Sequence, residues 1–78
     1  MDTELLARVV LDPKVMRGKP VIRGTRIPVE LIVRMNAQRI PDSEILREYP
    51  RLQAEDISAA LHYSAMVVAN EDVFPVAG

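Results

Sequence analysis

The sequence predicts a mostly α-helical fold: a bundle of three short helices with helix-turn-helix spacing, preceded by a short N-terminal β-ribbon. Three observations carry this. Apolar residues recur at three-and-four spacing from Val29 onward. Prolines stand at 28, 41 and 50, where helices should start or stop. The β-favouring runs, Val9-Val10 and Val21-Ile22, are too short to make an independently stable sheet.

Taken in order, Leu5 to Leu11 is apolar apart from Arg8 and suits a short strand, or a strand after a frayed helical turn; Asp12-Pro13 stops it. Lys14 to Gly18 is expected to be a loop, with Gly18 free to take positive φ and Lys19 biased toward extended geometry by Pro20. Val21, Ile22 and Ile27 should anchor a tight ribbon, turned at Gly24-Thr25, with Lys19, Arg23 and Arg26 outside. Pro28 suits the first position of a helix that carries Val29, Ile32, Val33, Asn36 and Ala37 on one side, with Glu30 near its positive end. A turn near Arg39-Ile40 precedes a second helix, Pro41 to Tyr49, with Ile45, Leu46 and Tyr49 inward, and Pro50 ends it. The third and longest helix should run from Ala54 to about Asn70, with a stripe of Ile57, Ala60, Leu61, Ser64, Ala65 and Val68. This divides one domain into an arm and ribbon (1–27), a helical core (28–70) and a tail (71–78), whose Val73-Phe74-Pro75-Val76 could dock, pair as an edge strand or stay disordered.

With 78 residues and a net charge of -1, the chain is short for a self-sufficient core and should lean on a partner or a second copy of itself. Tyr63, Met66 and Val67 extend hydrophobicity beyond the stripe of the third helix, which makes them the expected homodimer interface. The absence of cysteine excludes disulfides and thiolate zinc sites. No run is long enough to span a membrane, and the acidic start is unlike a signal peptide, so a cytoplasmic location is expected. Charge is divided: Asp12 to Arg51 holds nine basic and five acidic residues, whereas Leu52 onward holds four acidic residues and no Lys or Arg.

A catalytic site is not expected, nor a metal or other cofactor. His62 is the single histidine and reads as a surface or boundary residue; neither an HExxH motif nor a Ser, His and acid set is discernible. Glu44 and Glu48 share a helical face, where Arg47, Arg51 and solvent account for them. The densest patch is Arg17, Gly18, Lys19, Arg23, Gly24, Thr25 and Arg26, where a phosphate could meet guanidinium groups and turn amides. Gly18-Lys19 lacks the rest of a nucleotide-binding loop. The patch therefore suits a nucleic-acid backbone, an acidic protein surface, or a solvated turn with structural glycines. Helix-turn-helix spacing puts Arg51 and Gln53 where DNA could be met, with Arg47 on the preceding helix, but Glu55 and Asp56 would repel phosphates unless they point away.

At these residues the chain resembles the small bacterial and archaeal family called domain of unknown function 433. The resemblance lies in Asp12-Pro13, in GKPVIRGTRIPV from Gly18 to Val29, in Ile45-Leu46, Tyr49-Pro50 and Leu52, and in Glu55-Asp56-Ile57, Ala59-Ala60-Leu61 and Tyr63. It implies a homeodomain-like module, antitoxin-like in role, that binds a nuclease toxin of PIN-like fold and, as a dimer, double-stranded operator DNA. The motif residues Gly18, Pro20, Gly24, Thr25 and Pro28 are implied to be structural. Three departures stand out: Arg39 where the family has glycine, Pro41-Asp42 in place of Ser-Pro, and Gln53 in place of a threonine cap.

Overall fold

The computed structural model describes residues 3–70. After one helical turn, α1 (Thr3–Leu6), the chain enters β1 (Val9–Leu11), which pairs antiparallel with β2 (Pro20–Ile22) so that Val9, Val10 and Leu11 face Ile22, Val21 and Pro20. Pro20 takes the first place in its strand, where a missing N–H does least harm. Of the two readings open for Leu5 to Leu11, the helical turn followed by a strand is the one that forms. The residues between the strands wind through a left-handed turn, with φ of 50, 57 and 80 at Met16, Arg17 and Gly18. Gly18 adopts this freely, whereas Met16 and Arg17 each carry a penalty of about 1–2 kcal/mol. Asp12 steadies the entry, its carboxylate accepting the Lys14 N–H at 2.9 Å.

A second reversal follows β2. The Thr25 hydroxyl donates to the Ile22 carbonyl at 2.7 Å and accepts the Ile27 N–H at 3.0 Å, while the Ile22 N–H donates to the Ile27 carbonyl at 3.0 Å. Gly24 sits at φ 76 with open space where a Cβ would go, so its glycine answers a backbone demand and not a steric one. The tight ribbon thus forms as expected, but β2 also pairs along its other edge with β1, a long-range pairing that local turn chemistry does not announce.

Helix α2 (Val29–Ala37) starts after Pro28 and buries Val29, Ile32 and Met35. Val33 is half-buried and Asn36 and Ala37 exposed, so the inward face is rotated toward Met35 relative to the sequence expectation. Its end is a Schellman motif: the Ile40 N–H donates to the Met35 carbonyl and the Arg39 N–H to the Asn36 carbonyl, with Arg39 at φ 62. The chain therefore keeps the left-handed turn although arginine stands at its pivot. Helix α3 (Asp42–Glu48) buries Ile45, and α4 (Ala54–Ala69) crosses the others and buries Asp56, Ile57, Ala59 and Ala60. Leu61 and Ser64 of the expected stripe are half-buried, and Ala65 and Val68 are exposed. The core joins Ile22 of the ribbon to Val29, Ile32, Met35, Ile45, Leu52, Ile57 and Ala60. The fold is mostly helical with a two-stranded ribbon in front of the bundle. Among the described residues no helix is long and apolar enough to cross a membrane.

Candidate nucleic-acid and protein interfaces

Two turns far apart in sequence meet at one end of the molecule. Arg51, in the turn between α3 and α4, donates from Nη1 to the Gly24 carbonyl of the ribbon turn at 3.3 Å. Beside this contact lies an open cleft of about 350 Å³ with Arg8, Arg23, Arg51, Gln53 and Asp56 among its walls. Arg8 organises it. Its Nη1 donates to Asp56 Oδ1 at 3.0 Å and to Gln53 Oε1 at 3.3 Å, and its Nη2 lies 3.9 Å from Glu55. Its carbonyl accepts the Arg23 N–H at 2.8 Å, which ties the ribbon to the same place.

Asp56 is 5% exposed. Its second oxygen accepts the Gln53 N–H at 2.8 Å, so one side chain both closes the start of α4 and balances Arg8. Gln53 therefore opens the helix although it is a poor capping residue, because Asp56 reaches back to it. One of the two acids expected to repel phosphate is thus turned inward and neutralised, while Glu55 stays exposed beside Arg8.

Of the residues expected to meet nucleic acid or a partner, the cleft gathers Arg23, Arg51 and Gln53. Arg17, Arg26 and Arg47 are exposed and, among the described residues, make no ion pair or side-chain hydrogen bond. Lys19 stands apart from the cleft, its Nζ 2.8 Å from Glu30, whose other oxygen is 3.9 Å from Arg34. The Lys19 ammonium, by hydrogen bond and by charge, holds the Glu30 carboxyl below the usual glutamate value, and Arg34 adds to the effect. Sequence reasoning passed over Arg8 and the inward role of Asp56. The available signal was a lone arginine inside an apolar run, which needs a carboxylate when the run packs down.

The second feature is an apolar groove of about 510 Å³ between α2 and α4. Val29, Val33 and Ala37 form one wall and Tyr63, Ser64, Val67 and Val68 the other, with Lys19, Glu30 and Arg34 at the rim. Tyr63 and Val67 of the expected interface line it; Met66 is half-buried and lies outside it. The α2 wall was not foreseen.

Elsewhere, His62 is exposed, and no cluster of three or more metal-ligating side chains occurs among the described residues. The pairing of Glu44 and Glu48 with Arg47 and Arg51 does not form among those residues; Arg51 is drawn to Gly24 instead.

Residues 9–64 match the model of the family described as "Protein of unknown function (DUF433)". An uncharacterized protein of Archaeoglobus fulgidus is 63% identical over 30 residues, 38% of this chain and 83% of that protein. The crystal structure of a DUF433 member protein from Anabaena variabilis superposes with a TM-score of 0.75 at 42% identity, over 86% of this chain and 66% of that one. With most of its length inside the family model, this chain belongs to the DUF433 family.

Proposed function

We propose that the chain is a non-catalytic, cytoplasmic regulatory module of antitoxin type, which contacts double-stranded operator DNA as a homodimer and binds a nuclease toxin of PIN-like fold. The observation that carries the DNA half is the junction of the two turns, where Arg51 reaches Gly24 and sets Arg23, Arg51 and Gln53 around one open cleft. Phosphates are met there by guanidinium groups, and Gln53 stands at the start of α4, the place from which a recognition helix addresses bases. The pairing of Asp56 with Arg8 at 3.0 Å supports the reading, since it balances the charge of that acid in the cleft wall, where Glu4 also stands. Residues 28–70 act as the helical core and the preceding arm and ribbon as the basic contact element. In a two-fold pair the clefts would fall about 34 Å apart, one turn of the duplex.

The test is binding to the DNA upstream of the chain's own gene over a range of salt. Arg23→Ala and Arg51→Ala should each flatten the slope of log affinity against log salt by about 0.9 for each phosphate released, while Gln53→Ala should change sequence preference and leave the slope alone. No binding at low salt, with or without a partner protein, rules out the DNA half. A second reading, a protein-only interaction module, is favoured by the apolar groove, which shares no lining residue with the cleft. It calls for a nuclease whose activity falls on stoichiometric addition of the chain, with no response to DNA.

A further inference from the structure

We infer that the groove between α2 and α4 is the seat of a second copy of this chain, packed about a two-fold axis; this rests on the reading of the module as a homodimer and gives that pair its surface. The groove is apolar, and Val68 at the edge of its α4 wall is 70% exposed. A face that carries both a hollow and a projecting apolar edge can complement itself, as a two-fold interface requires.

Charge narrows the occupant. Glu30 lies between Lys19 at 2.8 Å and Arg34 at 3.9 Å, so much of the rim charge is balanced within the chain. A like copy is then only weakly repelled, and a strongly charged partner finds little unpaired charge to match. Depletion of free charge around an apolar centre is the character of homodimer interfaces. Because groove and cleft have no residue in common, the pair can form with the arginine surface still open.

Sedimentation equilibrium of the full chain without DNA should give twice the 8.7 kDa chain mass at high concentration and approach the single mass on dilution. Val67→Glu and, separately, Val33→Glu should weaken the pair on the order of 100-fold, as charges placed in a dry interface do, with helical circular dichroism kept. Val68→Asp, at a site too exposed to disturb folding, should weaken it less but measurably, and Arg23→Ala should leave the mass unchanged. A wild-type chain that stays at the single mass overturns the inference, and so does a Val68→Asp chain that pairs as tightly as wild type. Pairing that begins only after residues 71–78 are removed also overturns it, by giving the groove to the chain's own C-terminal segment. DNA binding by a monomer would sink the groove alone, whereas a stable pair that ignores DNA would sink the arginine reading alone.

Discussion

The second half of α4 is richer in apolar residues than the first and yet far less covered. In the first half Asp56, Ile57, Ala59 and Ala60 are all buried, whereas from Leu61 to Ala69 no residue is buried and Val68 is 70% exposed. Helix propensity does not separate them, since both halves are helical. Coverage does. The first half lies under Arg8 and the segment that leads into β1, which reach it through Asp56 and Gln53. The second half runs beside α2 with a groove left between them. A chain of 78 residues has little to spread over a helix of 16, so burial goes to the end where the ribbon and the other helices converge. Apolar surface at the other end is left partly uncovered by the described residues.

The sharpest way to break this comparison is to cut a methylene cluster from each half. Ile57→Ala should cost about 4 kcal/mol, as a large-to-small change in a closed core does, and denaturant unfolding would register it. Asp56→Ala should follow at about 3 kcal/mol, because it strands Arg8 and opens the helix start; a partly exposed Arg8 keeps the loss at the lower end for a buried pair. In contrast, Val67→Ala should cost about 1–2 kcal/mol in dilute solution, because its side chain is only partly enclosed by its own chain. Similar losses for Ile57→Ala and Val67→Ala would mean that the second half is already enclosed.

Arg39→Gly sharpens the contrast from outside α4. The φ of 62 at Arg39 suits glycine, so the change should stabilise the chain by about 1 kcal/mol and do so equally at low and high protein concentration. A gain that grows with concentration would implicate the α2 terminus in pairing.

The smallest effect is that of pH at the groove rim. Glu30 has its pKa lowered in the folded chain by Lys19 and then Arg34, so the unfolded chain takes up the proton first as acid is added. Its stabilising contribution is whole above the ordinary glutamate pKa and fades as pH falls through that value to the lowered one. In acid titrations followed by thermal unfolding, Glu30→Gln should show a slightly shallower loss of stability than wild type over that window. An identical loss in both chains would mean that the Lys19 contact gives Glu30 no preference for its charged form.

Much of the helical layout was legible because its signals are local. Pro28, the reversal at Arg39-Ile40 and Pro50 bound α2 and α3, and three-and-four spacing located α4 to within a residue of its end. The pairing of β1 with β2 was hidden, since it depends on a left-handed turn at Met16 and Arg17, residue types that rarely declare one. Asp56 and Glu55 look alike as neighbouring acids at a helix start; only the position of Arg8, 48 residues earlier, decides which turns inward. The candidate cleft was visible in parts. Arg23, Arg51 and Gln53 stood out as residues, but the contact of Arg51 with Gly24 that unites them is a long-range event. The tail from Val73 to Val76, given three alternatives from sequence, lies outside the described residues.

The division of α4 is tested most directly by following backbone amide resonances of the wild-type chain as it is diluted from millimolar to micromolar concentration. Peaks of Val33, Ala37, Ser64, Val67 and Val68 should move together along one dissociation curve, while those of Ile45 and Ile57 hold still. Resonances that are independent of concentration along the whole of α4, or that move at Ile57 as much as at Val67, would contradict the account.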